Sequence, residues 1–138
     1  MMKPADVITA SRAYLEVPFR HQGRTPPLAL DCAGLFVMVC RDMGLPVIDE
    51  QGYGRNPWRG LLEQCIARQP FLCRVPREQM QAGDVLLMKF EGDPQHIAIH
   101  AGDTMIHAYE KSGKVVEHRL ADVWRARVVS VYRFEGMR

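Results

Sequence analysis

The stretch "QHIAIHAGDTMIHA", residues 95–108, alternates its side chains with a period of two on either side of Gly102-Asp103. Such alternation marks half-buried strands, and glycine at the first central position of a two-residue link suits a type II′ hairpin turn. The turn sets a register in which Ala101 pairs with Thr104, His100 with Met105, Ala98 with His107 and His96 with Tyr109. Ile97, Ile99, Ile106 and Ala108 then share one wholly apolar face, the core side. His96, Ala98, His100, Met105, His107 and Tyr109 share the opposite face. His107 lies diagonal to both His96 and His100, at roughly 7–8 Å between α-carbons, and Ala98 opposite it leaves room for a ring to lean.

The same period continues outward, predicting strands over 84–90, 96–101, 104–110, 114–120 and 127–134, most of them separated by short glycine-bearing turns. Upstream the period is helical. Residues 4–15 repeat Val7, Ile8, Ser11, Tyr14 and Leu15 behind Pro4, a residue that suits a first turn. A segment containing Gly23, Pro26 and Pro27 follows and reads as irregular. In "DCAGLFVMVCRDMGLPV" Asp31 is a helix N-cap, and Leu35, Phe36, Val39, Cys40 and Met43 form one apolar stripe closed by Gly44 and Pro46. A third helix is expected over 57–68, with Leu61, Leu62, Cys65 and Ile66 inward, and "ADVWRA" adds a helical turn before the last strand. Helices followed by a strand meander imply an α+β domain, its N-terminal helices packed on one face of an antiparallel sheet of about five strands.

With 138 residues, the chain is expected to form one domain over 1–138 with a real core. Its 47% hydrophobic and 25% charged residues suit a globular protein. A net charge of +2 without basic runs gives no reason to expect a nucleic-acid partner. No apolar run approaches the roughly 18 residues of a membrane span, and "MMKPADVITASRAYLEV" lacks the apolar core of a signal peptide. The expectation is a chain made and kept in the cytoplasm unless it is assembled into something exported.

Three histidines in a dozen positions raise the question of a metal. His96 and His100 stand four strand positions apart, roughly 13 Å, too far to share an ion, and no HExxH occurs. A site built on one histidine pair and Asp93 is the weaker reading, so neither metal nor cofactor is expected. For His100, His118 and His21 the reading is an ordinary solvated or hydrogen-bonded side chain. Cys40 and Cys65, and with them Cys73, read as small core residues, and the absence of any C-x-x-C argues against zinc or redox pairing.

Cys32 differs. A free cysteine is usually a buried hydrophobe, but this one follows the Asp31 N-cap directly, where the helix dipole and unpaired N–H groups favour a thiolate and can stabilise an oxyanion. Ala33 and Gly34 beside it are small enough to admit a substrate. With a histidine as base and a second polar group orienting that base, this is the arrangement of a cysteine acyl-transfer enzyme.

The blocks "YLEVPFRHQGR", "LDCAGLF", "AGDVLLMKF" and "HIAIHAGDTMIHA", in this order over about residues 10–110, resemble the NlpC/P60 family of papain-like cysteine peptidases. The "PFRHQGR" segment looks most like the phage-type branch found in tail proteins. The resemblance implies a permuted papain-like fold, with Cys32 as nucleophile, His96 as general base and His107 orienting His96. It also implies a substrate, the amide bonds of peptidoglycan stem peptides, commonly between D-glutamate and a diamino acid. Phe19, Asp31, Ala33 and Gly34 are then the substrate-binding candidates. Phe19 stands where many members carry a tyrosine, and Ala33 replaces a frequent serine, which leaves substrate preference open. The alternatives are a structural component of a phage tail with weak or no hydrolysis, and a thiol acyltransferase or amidase acting on another substrate.

Overall fold

The computed structural model describes residues 2–49, 61–90 and 96–137. Helix α1 spans Pro4–Arg12, its first turn closed by the Lys3 N–H donating to Asp6 Oδ2 at 2.9 Å. It stops short of the expected residue 15 because the chain turns away to the sheet. Glu16 takes a φ of 74° and donates its N–H to Val115 O, and Val115 N–H donates back to Val17 O.

The segment read as irregular forms a small ribbon, β1 (Arg24–Thr25) against β2 (Ala29–Leu30), reversing across the two prolines. Prolines block a strand interior, but here they occupy the turn, where no ladder N–H is needed.

Helix α2, Cys32–Asp42, is buried from Ala33 to Cys40, including Val37 and Met38 outside the expected stripe. It is therefore a central helix, covered on more than one side. Gly44 ends it with a φ of 73°, and the Leu45 N–H reaches back to Cys40 O, a C-terminal cap that a left-handed residue makes available. Helix α3 spans Leu61–Ala67, with Leu62 and Ile66 buried and Cys65 partly so. Expected helix residues 57–60, the Leu61 side chain and Asp93 lie outside the described residues.

Among the described residues, six strands make one antiparallel sheet: β3 (Leu72–Val75), β4 (Val85–Met88), β5 (His96–His100), β6 (Thr104–Tyr109), β7 (Lys114–Arg119) and β8 (Val128–Phe134). Their order is β3-β8-β4-β5-β6-β7, so the sheet is not a simple meander. After the short α4 (Asp122–Arg125), the last strand crosses back to pair with both β4 and the unexpected edge strand β3. In the histidine hairpin, Ile99 faces Ile106 and His100 faces Met105, and the Ala101 N–H donates to Thr104 O, in the register read from the turn.

The larger core cluster unites Ile97, Ile99, Ile106 and Ala108 with Val7, Leu35, Phe36 and Val39 of α1 and α2, which is the helix-covered face. The opposite face is not open cleft throughout. Leu86, Met88, Ala98, Met105, Leu120, Val128 and Val131 form a second, smaller cluster there, with Trp124 of α4 packed against it. The histidines sit at the border of this second cluster.

Candidate active site

Cys32 is the first residue of α2, and its position is held from behind. Asp31 Oδ1 accepts from the Gly34 N–H at 2.7 Å and from Arg24 Nη1 at 2.9 Å, while Oδ2 accepts from the Gln22 N–H at 2.9 Å. Arg24 is also paired with Asp49 at 3.0 Å, all three side chains being nearly inaccessible. The N-terminus of α2 is thus pinned by a buried ionic group. The first intrahelical bond runs from Leu35 N–H to Asp31 O, which leaves the Cys32 and Ala33 N–H groups ahead of the ladder.

Two of the substrate-binding candidates are engaged within this arrangement. Asp31 is 3% exposed and its oxygens serve the cap, the loop and Arg24. Gly34 is small for a packing reason, because a Cβ there would lie 2.1 Å from Gly23 O. Neither offers room or a polar group to a ligand. Phe19 is half-buried against the larger core cluster, its N–H donating to Gly113 O at 2.8 Å, and Ala33 is 8% exposed.

Burial and the neighbouring Asp31 charge push the Cys32 thiol up to about 12, outweighing the Ile97 and Ala33 N–H groups and Arg24, which act the other way. Desolvation and the Asp31 charge thus oppose, at this sulfur, the preference for a thiolate expected from the helix dipole. The Ile97 N–H that faces the sulfur also locates it beside the first residues of β5, next to His96.

His96 and His107 are both buried, and their rings meet, His96 Nε2 to His107 Nδ1, at 2.6 Å. Burial holds both well below the ordinary imidazole range. His96 is lowered to about 3, helped by the His118 charge, and His107 to about 2, helped by His96 and His118. Phe90, Tyr109 and Trp124 enclose the pair: Phe90 lies 5.2 Å from His96, while Tyr109 stacks on His107 at 4.9 Å. Among the described residues no hydrogen bond joins His96 to Cys32, and no group of three metal-ligating side chains is present.

Two other histidines are hydrogen-bonded, the second of the two forms expected for them. His100 is not solvated. It is 4% exposed, and its Nδ1 accepts the Gly102 N–H at 3.0 Å, closing the hairpin turn. His118, set aside in the sequence, brings its Nε2 to 2.8 Å from His107 Nε2. The signal that could have found it is the β6–β7 register: Val116 faces His107, and His118 stands two residues further along the same face. Of the remaining cysteines, Cys40 is core, whereas Cys73 is exposed on β3 with its thiol donating to Arg133 O at 3.5 Å.

The NlpC/P60 family model matches residues 16–133. The chain belongs to the NlpC/P60 family. Three solved structures share its fold. One from Bacillus cereus superposes with a TM-score of 0.71 at 19% identity, covering 95% of this chain and 40% of that one. The NlpC/P60 domain of the peptidoglycan hydrolase SagA gives 0.63 at 21%, covering 94% and 97%. The peptidoglycan hydrolase RipB of Mycobacterium tuberculosis gives 0.59 at 18%, covering 94% and 63%. The chain therefore spans less than half of the Bacillus protein but nearly all of the SagA domain. No curated protein sequence matches it. Among the described residues, no helix is long and apolar enough to cross a membrane.

Proposed function

We propose that this NlpC/P60 chain is a cysteine peptidase that hydrolyses amide bonds of peptidoglycan stem peptides, of the D-glutamyl–diamino acid type. One observation carries the reading: a thiol at a pinned helix N-terminus lies beside a strand whose first residue, His96, is hydrogen-bonded to His107. That is the nucleophile–base–orienter order of thiol acyl transfer. The printed identities of SagA and RipB as peptidoglycan hydrolases support the substrate class.

In this reading the ground state is a neutral thiol beside a neutral imidazole. Cys32 Sγ bonds to the scissile carbonyl carbon as its proton passes to His96 Nδ1, the ring nitrogen that His107 does not engage. The Cys32 and Ala33 N–H groups receive the developing oxyanion. Collapse breaks the C–N bond, and the proton on His96 leaves with the amine. Water then attacks the thioester, giving one proton to His96, and that proton returns to the departing thiol.

The family resemblance of "PFRHQGR" extends the proposal to a phage-type protein with tail-protein partners that meets the cell wall from a virion. Purified sacculi test the enzymatic reading. Wild-type protein is expected to release stem-peptide fragments identifiable by mass spectrometry, with release stopped by a thiol alkylator and unaffected by a chelator. Intact sacculi after incubation would favour a tail-assembly role, and loss with chelator alone would contradict the thiol mechanism.

A further inference from the structure

His96, His107 and His118 form a single file of imidazoles, and the file has a terminus. His118 Nδ1 lies 3.0 Å from the backbone carbonyl oxygen of Arg119. A carbonyl only accepts, so His118 carries its proton on Nδ1 and donates it to Arg119 O. In a neutral ring this leaves His118 Nε2 as an acceptor. His107 Nε2, 2.8 Å away, must then be the donor. Its Nδ1 in turn becomes an acceptor, and His96 Nε2, 2.6 Å away, donates to it. His96 Nδ1 is left with a lone pair. Each ring has one proton, and His107 and His118 have two partners each, so the carbonyl at the far end propagates one solution through all three.

Resting on the peptidase reading above, we propose that His118 is a positioning residue: anchored on Arg119 O, it sets the His107 tautomer and through it keeps the His96 Nδ1 lone pair available to Cys32. His118 itself touches neither thiol nor substrate. The surroundings favour the neutral file. Burial keeps His96 and His107 uncharged, as does each ring's repulsion of a second charge. Trp124 of α4 packs 4.9 Å from His118, and the Arg127 guanidinium lies 4.7 Å over that indole. Glu117, the carboxylate next along β7, pairs instead with Arg12 and accepts from Thr104. A protonated His118 would have to donate to His107, switch the tautomers of both inner rings and leave a proton on His96 Nδ1, where no base remains.

Long-range proton–nitrogen NMR spectra of histidine-labelled full-length protein at neutral pH read the tautomers directly. The expected pattern is Nε2–H for His96 and His107 and Nδ1–H for His118. A His96 signal of Nδ1–H would overturn the proposal. Two variants add a kinetic reading on a stem peptide. His118→Leu removes the acceptor and is expected to mix the His96 tautomers and lower kcat at least about tenfold with KM unchanged. His118→Gln supplies an amide oxygen to His107 and is expected to keep kcat within about threefold and the wild-type His96 signal. Wild-type spectra and kcat in His118→Leu would overturn it, as would an equal loss in a folded His118→Gln. Should wild type turn over no stem peptide, the peptidase reading fails while the spectra still decide the tautomer claim.

Discussion

His96→Gln is expected to lower kcat on a stem peptide by about a thousandfold or more, with KM changed by no more than a few-fold. The size follows from the resting state of Cys32. With its pKa pushed up to about 12, the thiol has almost no thiolate at pH 7 and relies on a base to lose its proton at the moment of attack. His96 is placed for that task because its Nδ1 is free of His107, which holds the ring through Nε2. Glutamine fills similar space but takes no proton. Steady-state kinetics, with circular dichroism to verify folding, check the result. A drop confined to KM would show that His96 binds substrate rather than moving a proton.

The second large effect is acid sensitivity of the fold. His96 and His107 have folded pKa values of about 3 and about 2, against 6.5 in the unfolded chain. As pH falls below 6.5 the unfolded chain takes up these protons and the folded one does not, so the unfolded state binds more protons and stability drops. The loss begins near pH 6.5 and continues until the folded values are reached. Each histidine contributes about 1 kcal/mol per pH unit inside that window. Between pH 6 and pH 4 the pair therefore lowers stability, because both rings resist protonation in the folded chain and accept it in the unfolded one. Urea midpoints at the two pH values measure it, and His107→Asn, with one fewer titrating ring, is expected to show the shallower decline. Equal wild-type midpoints would mean that these rings ionise as freely in the folded chain as outside it.

The hairpin was legible because its evidence is local: Gly102 sets the turn, the turn sets the register, and the register places His96 and His107 on one face. The Asp31 cap and the end of α2 at Gly44 were legible for the same reason. What escaped depends on distant pairings. The strand Leu72–Val75 is a short edge strand mixing half-buried and exposed positions, and β8 inserts between it and β4 through contacts that no local period announces. His118 needed the β6–β7 register before it could be related to His107. At Cys32 the spacing reveals the helix dipole but not the desolvation and Asp31 charge that oppose it. Asp31 looked like a residue near substrate, whereas Arg24, seven positions upstream, draws it into a buried ion pair.

In the proposed mechanism Cys32 is the group that forms the bond to substrate. The direct measurement is turnover of a defined D-glutamyl–diamino acid peptide by wild type and by Cys32→Ala, followed by mass spectrometry of the products and of acid-quenched protein. The expected result is cleavage at that amide by wild type, a transient acyl adduct on the peptide containing Cys32, and no cleavage above the uncatalysed rate in Cys32→Ala. Cleavage by Cys32→Ala at the wild-type rate would contradict it.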